Sequence, residues 1–131
     1  MLPFALTLRP GDSPYRQIVY AATKAIVAGE MTVGSRFPSV RELSQALKVN
    51  PNTVQKAVAE LIRDGLLEVR PGIGTVVLPA RKSSASERRV LLSQEVEQLV
   101  VEAKRLGLTK VEVINAVSAR WAELSNDRGE E

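Results

Sequence analysis

Cysteine and histidine are both absent from this chain of 131 residues. Their absence excludes disulfides, thiolate nucleophiles, imidazole acid–base work and the usual zinc ligands. Aromatic residues are scarce, with one Trp, two Tyr and two Phe, so any core must be largely aliphatic. No apolar run approaches the roughly 20 residues of a spanning helix. The opening MLPFALTLRPGD has neither the basic start nor the apolar length of a signal peptide. A cytoplasmic protein without membrane contact is expected. No carboxylate pair, metal cluster or nucleophile constellation stands out, so neither an enzyme nor a bound cofactor is expected.

What is present is an ordinary soluble composition, 44% hydrophobic and 25% charged, enough for one compact domain or a small domain with an appendage. The net charge of +3 is unevenly placed. Residues 1–80 carry nine Lys/Arg against six Asp/Glu, whereas 81–131 carry nine of each. The whole basic excess lies in the first part, a weak sign of an anionic partner.

After an extended leader, Ser13 caps and Pro14 opens a helix whose apolar positions Tyr15, Ile18, Val19, Ala22 and Ile26 recur at helical spacing up to Gly29. MTVGSRFP is turn-like. Ser39 and Glu42 then form a capping box for a helix of about ten residues, with Leu43, Ala46 and Leu47 on its apolar stripe. A brief turn at Lys48 and Val49 precedes a third helix, where Asn50 caps, Pro51 fits the first turn, and Val54, Ala57, Val58, Leu61 and Ile62 face inward. LLEV, RPGIG and TVVL read as two strands joined by a Gly/Pro turn with a basic tip.

Two short helices joined tightly and followed by a strand hairpin form the layout of a winged helix-turn-helix. A helix in the major groove reads base edges from its first turns, and there Asn52, Thr53, Gln55 and Lys56 offer donors and acceptors. Asn and Gln can pair bidentately with adenine, and Lys can reach guanine or phosphate. Arg41, off the apolar stripe of the preceding helix, is placed to clamp the DNA backbone, with Arg36 and Lys48 adding charge. In the hairpin, Gly72 and Gly74 allow close backbone approach, and Arg70 can enter a minor groove. Taken alone, Arg41 is as well explained by pairing with an acid, and RPGIG by a plain turn. Only the constellation sets these residues apart from ordinary surface positions.

The stretch PYRQIVYAATKAIVAGEMTVGSRFPSVRELSQALKVNPNTVQKAVAELIRDGLLEVRPGIGTVV, residues 14–77, resembles the DNA-binding domain of GntR-family bacterial transcription regulators throughout its length. The resemblance implies a dimer that binds operator DNA and usually represses until a small effector loosens it. By position it places Arg41 at the family's DNA-contacting arginine, Asn50, Asn52, Thr53 and Gln55 at recognition-helix contacts, and Gly72 at the wing glycine. Many members have an arginine where Pro51 stands here, so this helix is expected to read through amide and hydroxyl groups more than its relatives do.

PARKSSAS reads as a linker. The domain plan is therefore a DNA-binding domain over 1–79, a linker over 80–90 running into the next helix, and a two-helix dimerisation domain over 91–131 with SNDRGEE as a frayed end. In that last part Leu92, Val96, Leu99, Ala103 and Leu106 alternate in steps of four and three before Gly107. Thr109 and Glu112 cap a second helix bearing Val113, Ala116, Val117, Trp121 and Leu124. Two helices cannot bury both stripes alone, and a second copy of the chain is the simplest partner. Leu92, Val96, Leu99, Ala103, Leu106, Val113, Val117 and Trp121 are thus the candidate dimer residues. A short tail of this kind resembles the YtrA subfamily, whose genes often neighbour those of ATP-dependent transporters. A small effector, of unknown identity, could sit in an apolar pocket enclosed by the tail-helix dimer and involving Leu99, Val113, Val117 and Trp121, although a helix stripe is more often core than ligand site.

The expected fold is mainly α with a small β-hairpin, an N-terminal winged helix-turn-helix followed by a short two-helix dimerisation domain. The expected function is a homodimeric repressor acting on a double-stranded, inverted-repeat operator and responding to a small molecule. The alternative is a protein-interaction module that uses the winged-helix scaffold without specific DNA readout.

Overall fold

The computed structural model describes residues 2–124; SNDRGEE, expected as a frayed end, lies outside them. The chain divides after Ala80 into two compact units.

The first unit begins with α1, Pro14–Val27, where the Ser13 hydroxyl accepts the Arg16 amide and Pro14 takes the first helical position. α2 is Val40–Leu47, and its start is locked reciprocally: Ser39 Oγ accepts the Glu42 amide at 3.0 Å while Glu42 Oε1 accepts the Ser39 amide at 2.8 Å. Lys48 ends α2 in the left-handed region, φ 56°, the one non-glycine residue with positive φ among those described. That turn delivers the chain directly into α3, Pro51–Arg63, capped by Asn50 Oδ1, which accepts the Asn52 amide at 2.7 Å.

β1, Leu67–Arg70, and β2, Gly74–Val77, pair antiparallel with Leu67 opposite Val77 and Arg70 opposite Gly74. The connecting loop is only Pro71, Gly72 and Ile73, tighter than the five-residue turn expected. The segment read as a turn before α2 supplies a second pairing, on the outer edge of β2. Phe37 N–H donates to the Thr75 carbonyl at 2.8 Å, Val77 N–H to that of Ser35 at 3.0 Å, and Arg36 bridges Val76. Three residues between a glycine and a proline are too short to show a strand period, so the pairing is invisible to pattern.

The core is one cluster of Phe4, Ile18, Ala22, Ile26, Met31, Phe37, Leu43, Val54, Ala57, Leu61, Leu67 and Val77. α1 and α3 make its main contact. Ile18, Leu43, Val54 and Leu61 are completely enclosed, each worth about 1.5–3 kcal/mol of transfer free energy. Two inward expectations are corrected. Ala46 is exposed and lines a cleft beside Leu2 and Phe37, and Ile62 keeps 36% of its surface, both at the rims of their apolar stripes. The leader is more than a tail. Phe4 is 5% exposed and stacks on Phe37, centroids 5.9 Å apart. The buried Gln17 carboxamide holds it, accepting the Arg9 amide at 2.8 Å and donating to the carbonyls of Arg9 and Asp12.

In the second unit the segment 80–90 runs into helix from Ala85. Ser84 and Glu87 form a capping box for α4, Ala85–Arg89. A wider π turn, Val90–Glu95, leads into α5, Val96–Arg105, and Thr109 with Glu112 caps α6, Lys110–Glu123. The π turn breaks the even step of the apolar stripe, which a regular four-and-three reading does not anticipate. Among the described residues of this unit, Ala103 alone is buried.

Candidate nucleic-acid interface

The helix that carries the candidate reading residues is held by one face and free on the other. Val54, Ala57, Val58 and Leu61 are buried, while Asn52, Gln55 and Lys56 are exposed. Thr53 is half-buried at the flank. Asn50 is exposed, but its Oδ1 accepts the Asn52 amide, which ties its side chain to the helix start. Asn52, Lys56, Ala59 and Arg63, spaced at four, three and four, run along the centre of the exposed face. Pro51 occupies the first helical position, where its missing N–H costs the helix nothing.

Arg41 is exposed in the first turn of α2, and no carboxylate pairs with it among the described residues. Arg36 belongs with the wing: a Cβ on Gly74 would stand 3.6 Å from its Nε. Arg70 donates to Glu68 at 2.9 Å, both side chains half exposed, an ion pair weak enough in water to exchange for a phosphate. Gly72 sits at the wing tip with φ +79° and open space around it, and Gly74 has φ +119°. The candidates therefore fall on three elements of one unit: Arg41 on α2, Asn50 to Lys56 at the front of α3, and Arg36, Arg70 and Gly72 on the wing.

Sequence pattern missed a cluster on the flank of α3. The Tyr15 hydroxyl donates to Glu60 Oε1 at 3.2 Å, Arg63 pairs with the same carboxylate, and the Lys56 ammonium lies 5.9 Å from the Tyr15 ring centroid. Arg63, first, and then the other donors hold the Glu60 carboxyl below its ordinary range. Partial burial, first, and the bond to Glu60 push the Tyr15 hydroxyl up. Tyr15 reads as one more apolar position on α1, and nothing local marks its hydroxyl as paired with α3.

In the second unit, Val96, Leu99, Ala103, Val113 and Val117 come together in one groove of about 560 Å³ between α5 and α6, joined by Val100, Leu108 and Ile114, which the stripe did not single out. Leu92, Leu106 and Trp121 lie outside it and are exposed. Among the described residues there is no metal-binding cluster, and no helix is long and apolar enough to cross a membrane.

This arrangement of helices, polar helix front and wing agrees with comparison to known proteins. Residues 14–77 match the model of the bacterial regulatory proteins, gntR family. The chain is 35% identical to the uncharacterized HTH-type transcriptional regulator YhcF of Bacillus subtilis over 79% of its length and 85% of that protein. It is also 35% identical to the HTH-type transcriptional repressor YtrA of Bacillus subtilis, over 72% of the chain and 73% of YtrA. A transcriptional antiterminator from Listeria monocytogenes superimposes with a TM-score of 0.77 at 25% identity, covering 97% of this chain and 98% of that one. The chain belongs to the GntR family of transcriptional regulators, carries the family's DNA-binding domain, and is YtrA-like.

Proposed function

We propose that the protein is a homodimeric, sequence-specific repressor that works in the cytoplasm on an inverted-repeat operator. The observation that carries this reading is the division of α3. Its back is sealed into the core, while Asn52, Gln55 and Lys56 are exposed at its front, where a groove-inserted helix meets base edges. Arg41, together with Arg36 and Arg70 on the wing, supplies backbone contacts to either side, and Gly72 lets the wing approach closely. Thr53 reaches the edge of the same surface, and Asn50 contributes chiefly by starting the helix. With Pro51 in place of an arginine, discrimination falls on amide groups, which favours adenine over guanine contacts.

The sign of regulation is supported by the likeness to YtrA, named as a repressor. Dimerisation is supported by the groove around Leu99, Ala103 and Val113, too apolar to remain in water without a partner. That groove is taken as the dimer seam and not as an effector pocket. Two reading heads then address half-sites about one helical turn, roughly 34 Å, apart.

Selection of bound fragments from random duplex DNA tests the reading. A dyad-symmetric consensus with adenine-rich half-sites is expected. Recovery of no enriched sequence would favour the protein-interaction module.

A further inference from the structure

Lys56 has an acidic neighbour four residues on, at Glu60, on the same side of α3. Lysine and glutamate at that spacing ordinarily approach each other, and such a pair would cancel the charge at the centre of the exposed face. In this protein the carboxylate is engaged elsewhere. Glu60 takes a hydrogen bond from the Tyr15 hydroxyl and pairs with Arg63, and Lys56 instead rests over the Tyr15 ring. A ring holds an ammonium without neutralising it. Among the described residues no carboxylate pairs with Lys56.

We infer that Tyr15, on α1, is a positioning residue for DNA backbone binding: its ring steers the Lys56 ammonium while its hydroxyl helps keep Glu60 from claiming it, leaving that charge for a phosphate. The inference deepens the reading of α3 as the groove helix and rests on it. It assigns to α1 a part in binding that the helix-turn-helix and wing alone do not contain. Arg63, lying on the same exposed stripe, is the counter-charge that occupies Glu60, and so is expected to act structurally more than as a phosphate contact.

The test uses the full chain and a duplex recovered by selection with the wild-type protein. Affinity is measured across a salt series for wild type, Tyr15→Phe, Tyr15→Leu, Lys56→Met and the Tyr15→Leu/Lys56→Met double variant, with a thermal melt for each. Lys56→Met is expected to flatten the slope of log affinity against log salt by about 0.9 per phosphate lost. Tyr15→Leu is expected to weaken binding about two- to fivefold with a smaller salt slope, to have no further effect once Lys56 is gone, and Tyr15→Phe is expected to retain most of the affinity. Equal losses from Tyr15→Leu with and without Lys56, or a Tyr15→Phe loss as large as that of Tyr15→Leu, would overturn the inference while leaving the DNA reading intact. Absence of any duplex binding by the wild type would overturn both. Should Tyr15→Leu fail to fold, the Lys56 side-chain CH2 protons of the wild type decide by NMR: an upfield ring-current shift is expected, and random-coil values contradict it.

Discussion

Phe4 shows how much a single residue outside the recognised motif contributes to the reading head. It is 5% exposed and stacked on Phe37, the residue that pairs with the outer edge of β2 through its amide. Truncation at Phe4 leaves Phe37 without its stacking partner and opens a cavity in the core cluster. Phe4→Ala is expected to cost about 3 kcal/mol, read as a lower urea midpoint for the first unit. An unchanged midpoint would mean the leader is not part of the core. Glu87 makes a different kind of residue-level statement. Its carboxylate accepts from Arg81 at 2.8 Å and from the Ser84 amide at 2.8 Å, and Arg81, first, with Ser84 next holds its pKa at about 2 against an ordinary 4.5. A depressed folded value means the contribution is complete above about pH 4.5 and is lost as pH falls through about 2. A carbon-detected NMR titration of Glu87 should therefore find a midpoint near 2, moving upward in Arg81→Ala; a midpoint unchanged by that substitution contradicts the assignment.

At the scale of elements the wing is the most constrained. Gly74 has φ +119°, a backbone conformation that L side chains rarely adopt, while a Cβ there would be in ordinary contact with Arg36 at 3.6 Å. Gly74→Ala is expected to destabilise by about 1–2 kcal/mol through backbone strain and to strip exchange protection from the amides of Phe37 and Val77. Retained protection would show that the wing tolerates a Cβ. Helix starts are where a local signal is strongest: Ser13 with Pro14, Ser39 with Glu42, Asn50 with Pro51 and Thr109 with Glu112 all cap as read. These are contacts within three residues, so sequence alone displays them. The same signal was present at Ser84 and Glu87 and was masked by the small polar residues around it. What was hidden is non-local. The pairing of Tyr15 with Glu60 spans 45 positions, the strand pairing of Arg36 depends on β2 arriving beside it, and the π turn at Val90–Glu95 leaves no compositional trace. In the candidate site, the outward direction of Asn52, Gln55 and Lys56 was legible from helical period, but the capping role that occupies Asn50 and the flank position of Thr53 needed coordinates.

At the scale of the molecule, a DNA-binding unit is joined to a helical unit that leaves much of its apolar surface in water. Leu99, Val100, Leu108 and Ile114 each keep 40–50% of their surface in one chain, the kind of apolar patch that marks an interaction site. Sedimentation is expected to show a dimer at micromolar concentration, and Leu99→Glu to shift it to monomer with the first unit still folded. A wild type that stays monomeric would remove the dimer seam from the account. The central claim, that α2 and α3 read DNA, is tested most directly by a salt-controlled gel shift on a selected duplex with Arg41→Ala and Gln55→Ala, each checked for an unchanged melt. Both variants are predicted to lose specific binding while the wild-type complex weakens steeply as salt rises. Wild-type affinity in both would contradict it.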